Sequence, residues 1–227
     1  MEIAKDIYQI EGLRGANAFL VKGEELILID TGMPGSEEKI LGFIEKIGGS
    51  PTKLTQILLT HYHWDHIGSA AGFKRKTQAK ILAHPEDKPY IDGESPQPQP
   101  SLLNPLGLLI RVITSFYKTE PVEVNGLLAD GQEIGGPPVR LKVIHTPGHT
   151  PGSICFYLPE AKTLFLGDAV NRRLNRLSLP PKLFTTNPVQ ARESLKKLLL
   201  LDFEILCFGH GDPITRDAAG KLKSLLG

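Results

Sequence analysis

The run His61-Tyr62-His63-Trp64-Asp65-His66 constrains this chain more than any other feature. Four side chains able to bind a metal fall within six positions. They follow Ile57-Leu58-Leu59-Thr60, an apolar stretch that reads as a buried strand. A strand end fixes side-chain directions more firmly than a long loop does. Clustered His and Asp at such a place are costly to desolvate without a partner. The donor types also matter. Small structural zinc sites favour cysteine and fill every coordination position. Imidazoles with a carboxylate suit a metal that keeps a position open for water or substrate.

Three further donors share one context. His149 sits in the turn His145-Thr146-Pro147-Gly148-His149-Thr150-Pro151-Gly152, after the strand-like stretch 139–144. Asp168 closes Thr163-Leu164-Phe165-Leu166-Gly167-Asp168. His210 lies in Phe208-Gly209-His210-Gly211-Asp212-Pro213, after the apolar stretch 204–207. Each stands just beyond a short apolar strand and beside glycine. His84 and His145, of the seven histidines, read as packed or surface residues.

The two halves of the chain follow one plan. Stretches 3–11, 16–21 and 25–30 suit strands. Ser36 reads as the cap of a helix with Glu37 and Glu38 in its first turn and Gly48 at its end. Ile40, Leu41, Ile44 and Ile47 line one face of it. In the second half, strands at 141–144, 153–158 and 163–166 precede a helix. Asn187 caps it, Pro188 takes its first position, and Ala191, Leu195, Leu198 and Leu199 face inward. A strand at 204–208 and a helix from about Thr215 follow. Strands then helix, twice, favour an α+β fold of two facing sheets with helices outside, a four-layer αββα sandwich.

A chain of 227 residues is compatible with one domain over 1–227. An insertion at about 86–120 interrupts it. Ser95-Pro96-Gln97-Pro98-Gln99-Pro100 reads as an extended loop, and the apolar segment 106–117 follows. That segment reads as a packed helix, a lid over the site or, through 102–117, a homodimer contact. A formal net charge of +1 gives no global field for nucleic acid or membrane. Cys155 and Cys207 sit in apolar runs and read as buried free thiols. The N-terminus has early acids and no signal-like apolar core, and no run is long enough to span a bilayer, so cytoplasm is the expected compartment.

His61-x-His63-x-Asp65-His66, with His149, Asp168 and His210, resembles the ligand set of the metallo-β-lactamase superfamily of hydrolases. Leu28-Ile29-Asp30-Thr31-Gly32 is similar to the family's early strand ending in Asp-x-Gly, and Gly68 follows the histidine run as it does there. The resemblance runs from near the N-terminus to Pro213 and implies the same αββα sandwich. It implies that His61, His63 and His149 hold one metal and Asp65, His66 and His210 a second, with Asp168 between them. Asp30 would support the ligands from behind. Two divalent ions, Zn²⁺ foremost and Fe, Mn or Co as alternatives, would be the cofactors.

The implied activity is hydrolysis by a metal-bridging hydroxide, with Asp65 orienting it or relaying a proton. The leading substrate is a small anionic or polar carboxylic ester, thioester or lactone, as in glyoxalase II-like and lactonase-like branches. A phosphodiesterase on the same metals is the main alternative, and a mononuclear iron enzyme similar to persulfide dioxygenases is the second. Only seventeen residues follow His210, so the helical domain of a typical glyoxalase II is not expected. Arg172 and Arg173, shortly after Asp168, are candidates for an acidic substrate group. Asn171 stands where lactonases often place a tyrosine; Tyr90 or Tyr117 are the candidates to replace it.

Overall fold

Period-two burial builds the core. Leu26 and Leu28 face one way from their strand, and Ile27 and Ile29 face the other. Ile154, Phe156 and Leu158 alternate in the same manner with Cys155 and Tyr157. Strands apolar on both faces must be covered on both sides, and three apolar layers result. The structure is a computed structural model that describes residues 1–98 and 119–227, with Gly107, Leu108, Arg111 and Tyr117.

Among the described residues, strands β1 (Glu2–Ala4), β2 (Ile7–Gln9), β3 (Phe19–Lys22), β4 (Leu26–Ile29), β5 (Leu54–Leu58), β6 (Lys80–Ala83) and β7 (Gly126–Leu127) form a seven-stranded sheet in that order. Its first four strands run antiparallel, and β4 to β7 run parallel. The second sheet has five strands. β8 (Glu133–Gly136), β9 (Val139–His145), β10 (Ile154–Leu158) and β11 (Thr163–Phe165) pair antiparallel in sequence, and β14 (Ile205–Cys207) lies parallel to β11 at the edge. A separate hairpin joins β12 (Asn171–Arg173) to β13 (Arg176–Ser178).

The layer between the sheets holds Phe19, Ile29, Val143, Phe156 and Phe165. Helices Glu37–Lys46 and Ala70–Lys76 cover the outer face of the first sheet through Ile40, Ile44 and Phe73. Leu195, Leu198 and Leu222, from the helical stretch after Pro188 and helix Ala218–Leu226, cover the second. The four-layer αββα architecture is therefore present, with both sheets mixed in direction. Cys155 and Cys207 are buried free thiols. No helix among the described residues is long and apolar enough to cross a membrane.

Some local expectations are corrected. The first strand is two strands, because Asp6 adopts φ 61° in a tight turn that folds β2 back on β1. Ser36 makes no side-chain cap bond; its N–H donates to Ser69 Oγ at 2.7 Å and ties two helices together. Asn187 does cap, accepting the Gln190 N–H at 3.0 Å. The helix it starts tightens after Ser194 into a narrower turn, and this rotates Leu199 out to 36% exposure. The last helix begins at Ala218, three residues later than expected. The segment 102–117, expected as a packed helix, a lid or a dimer contact, lies outside the described residues apart from the four named above.

Candidate metal centre

The site forms where the strand ends of both sheets meet. Beyond β5, His61 and His63 leave on the connecting loop, and the short helix Trp64–Ile67 carries Asp65 and His66. His149 follows β9, Asp168 follows β11, and His210 follows β14. A backbone bond from Ile154 N–H to Thr60 O, 2.9 Å, joins the two sheets at this end. The seven donors expected from the sequence all converge. His61, His63 and His149 form one group, Asp65, His66 and His210 another, and His61, His66 and Asp168 lie between. Within each group the candidate ligand atoms lie within 4.8 Å of one another.

Hydrogen bonds from behind assign which ring nitrogen faces inward. Thr60 Oγ1 donates its single proton to Asp30 Oδ2 at 2.8 Å. It must then accept from His61 Nδ1, 3.0 Å away, which leaves His61 Nε2 with its lone pair toward the cluster. Thr185 Oγ1 likewise donates to Pro181 O and accepts from His149 Nδ1 at 3.3 Å. His66 Nδ1 donates to Asp30 Oδ2 at 2.7 Å. Three imidazoles thus have an outer partner fixing the tautomer, the arrangement that orients metal-binding histidines. Asp30 adopts φ 58° and is buried, and Thr60 N–H donates to its other oxygen.

The charges sort into two environments. Burial holds His61 well below the usual imidazole range, and the neighbouring rings of His66, His63 and His149 add to it. Burial and the adjacent His149 lower His63 to about 3. Burial also lowers His149 to about 4, against the pull of Asp168. These three rings are neutral and keep their lone pairs. On the other side burial lowers His66, but Asp30 and Asp168 outweigh it and hold the ring well above its usual range. His210 reaches about 9 because Asp168 and Asp65 outweigh its burial. Burial raises Asp168 as well, yet His66 and His210 hold it well below the usual carboxylate range.

The donor set fits divalent cations. His66 Nε2 and Asp168 Oδ1 are buried 3.3 Å apart as an ion pair, and neither has a well-formed hydrogen bond to anything else. Buried polar atoms without partners are rare. Two such atoms facing one point, among imidazole nitrogens and carboxylate oxygens alone, are suited to a shared cation. His63 Nδ1 lies 3.0 Å from the ring nitrogens of both His61 and His149. Neutral rings cannot satisfy both contacts by hydrogen bonding if each inward nitrogen carries a lone pair.

A cleft of about 420 Å³ opens over this floor. His63, Asp65, His149, Asp168 and His210 lie at its base, and Trp64, Pro98 and Phe184 supply apolar wall. Tyr117 stacks on Trp64 with centroids 5.0 Å apart, whereas Tyr90 packs on Tyr62. Arg172 and Arg173 both line the cleft from the β12–β13 hairpin. They differ in engagement. Arg172 spends its guanidinium on Asp212 O, Pro213 O and Asn175 Oδ1, and so clips the hairpin to the His210 loop. Arg173 is exposed at the cleft.

Two supporting residues were missed in the sequence. Asn17 donates from Nδ2 to Phe208 O and Gly211 O, and its own N–H donates to Gly209 O, so it holds the loop that carries His210. Asp87 is fully buried and accepts from Tyr62 N–H, Thr150 Oγ1 and Gly152 N–H. Burial pushes its carboxyl up to about 7, against the pull of those donors. Its only sequence signal is a cap-like aspartate before a short helix, and it makes no cap bond there. His84 and His145, expected as packed or surface residues, stack on each other with centroids 3.9 Å apart outside the cluster.

Known proteins share both sequence and shape with this chain. It is 29% identical over 231 residues to the probable metallo-hydrolase YflN of Bacillus subtilis, covering 94% of this chain and 87% of the relative. A 160-residue stretch is 29% identical to an atrochrysone carboxyl ACP thioesterase of Pseudocercospora fijiensis, covering 70% of this chain and 38% of that protein. In shape it is similar to the metallo-β-lactamase family protein TTHA1429 of Thermus thermophilus, with a TM-score of 0.73 at 23% identity, covering 99% of this chain and 79% of the other. That last likeness bears on the fold alone. The model of the metallo-β-lactamase superfamily matches residues 12–210, a span that holds all seven clustered donors, and the chain belongs to that superfamily.

Proposed function

We propose that this protein is a dinuclear metal-dependent hydrolase of a carboxylic ester, thioester or lactone with an anionic group. One observation carries the reading: seven His and Asp side chains converge under an open cleft, and the outer nitrogens of His61, His66 and His149 are already fixed. His61, His63 and His149 would hold one ion, Asp65, His66 and His210 the other, and Asp168 would serve both. Such ions supply a water of lowered pKa as nucleophile and polarise the carbonyl under attack. Zn²⁺ suits the donor set best.

The chain's own groups do the rest. Asp65 lines the cleft, with Oδ2 3.3 Å from His210 Nε2. It orients the attacking water and takes its proton. Trp64, Pro98 and Phe184 exclude water around the acyl group. Arg173 meets the anionic end, because a guanidinium pairs well with carboxylate or phosphate. Arg172, committed to three oxygen atoms of the protein, holds the hairpin in place. The thioesterase name of one relative supports acyl transfer to water over attack at phosphorus.

The test is a panel of thioesters, lactones and bis-aryl phosphates, offered to chelator-stripped protein before and after zinc is restored. Zinc-dependent turnover of an acyl substrate is expected. A bis-aryl phosphate turned over far faster than any acyl compound would replace the reading with a phosphodiesterase. A single tight iron with oxygen uptake would replace it with a dioxygenase. Arg173→Ala should raise KM for anionic substrates about tenfold, the loss of one charge-assisted pair, while kcat holds.

A further inference from the structure

Asp87 hydrogen-bonds to none of the seven clustered side chains, yet it joins the two chain segments that supply the three-histidine group. Its Oδ2 accepts the Tyr62 N–H at 3.0 Å, and Tyr62 stands between His61 and His63. The same oxygen accepts the Thr150 hydroxyl at 2.7 Å, and Thr150 follows His149. Oδ1 accepts the Gly152 N–H at 2.7 Å. One segment leaves the first sheet and the other leaves the second. Asp87 itself precedes helix Lys88–Ile91 and is 0% exposed.

The chemistry of the donors selects a carboxylate. Two are backbone amides, which can only donate. An asparagine would turn an NH₂ group toward one of them and leave both buried donors in conflict. The loop is shaped for this approach. A Cβ on Gly152 would sit 2.6 Å from Asp87 Oδ1 and 2.7 Å from the Asp87 nitrogen. The other group leans elsewhere: His66 on Asp30, and the His210 loop on Asn17.

We propose that Asp87 is a positioning residue that sets the distance from His61 and His63 to His149, and through it the affinity of that group alone for a divalent cation. The inference rests on the two-metal reading above. Its action lies in the backbone of both segments, so it changes where three nitrogens stand without changing what they are. Loss of an outer-shell partner of this kind weakens metal binding by about 10–100-fold.

The experiment uses the full chain, stripped of metal and titrated with Zn²⁺ against a chromophoric chelator, then with Co²⁺ in the visible. Wild type should bind two ions. Asp87→Asn should weaken one of them about 10–100-fold, leave the other within about twofold, and alter the Co²⁺ absorption of only the first ion to bind or only the second. Thr150→Val removes one donor, keeps the carboxylate, and should weaken the same ion by a smaller factor; it serves if Asp87→Asn does not fold. Two unchanged affinities, or an equal fall in both, would overturn the role of Asp87 while leaving the two-metal reading intact. Wild type that binds no ion would overturn both.

Discussion

The His61–His63–His149 group and the Asp65–His66–His210 group share a cleft floor and a neighbour, Asp168, but they sit in opposite electrostatic surroundings. The first is a dry, neutral cluster, where burial and mutual repulsion strip protons from three rings. In the second, the carboxylates of Asp30, Asp65 and Asp168 outweigh burial and raise His66 and His210, so a cation bound there must displace the ring protons. Imidazole is the common part, and the surrounding carboxylates set the difference. The supports differ too: Asp87 clips the backbone of the first group, while Asp30 touches His66 directly and reaches His61 only through Thr60.

The sharpest break comes from the residue both groups share. Asp168→Ala leaves His66 and His210 without the carboxylate that balances them. Metal titration should show the loss spread over both ions, each by at least the roughly 10–100-fold that loss of an outer-shell partner costs. The next substitution separates the groups. A Cβ at residue 209 would lie 2.2 Å from Asp168 Oδ1 and 2.6 Å from His66 Cε1. Gly209→Ala should weaken the ion held with His66 by about 10–100-fold and, through the shared Asp168, the other ion by a smaller factor. An equal effect on both ions would mean that the groups act as one rigid unit.

A milder change touches the frame rather than the donors. Asp30→Asn keeps the size of the side chain but cannot accept from Thr60 N–H, Thr60 Oγ1 and His66 Nδ1 together. It should cost about tenfold in affinity for the His66 ion, read in the same titration. The smallest effect concerns the His84–His145 stack, which packs at the ends of β6 and β9 beneath the Asp87 clip. Burial, then the neighbouring His145, lowers His84 to about 4 from the ordinary imidazole value of about 6.5. The unfolded chain therefore binds a proton that the folded chain refuses between those values, so stability falls as pH drops through that window. Tm should decline by a few degrees there, at about 2–4 °C per kcal/mol, and His84→Gln should flatten the decline.

The parts legible in the sequence were those whose signal is local. His61 to His66 is contiguous, and each lone donor sits one residue from glycine after an apolar strand, so the donor set needed no tertiary knowledge. Alternation of apolar residues announced both sheets. The supports were not legible, because their meaning is a contact across the fold. Asn17 bonds to residues 191 and 194 positions away, and Asp87 to residues 25, 63 and 65 away. Nothing near either residue distinguishes it from a turn polar group. Arg172 and Arg173 were adjacent and alike in sequence, and only the hairpin twist separates the clip from the exposed cation. Leu199 read as inward because a regular 3.6-residue period was extended past Ser194, where the helix narrows.

The most direct test of the central claim is anomalous diffraction at the zinc edge from zinc-loaded protein. Two peaks are predicted, one bounded by His61, His63 and His149 and the other by Asp65, His66 and His210, with Asp168 between them. A single peak, or none at these side chains, would contradict the two-metal centre.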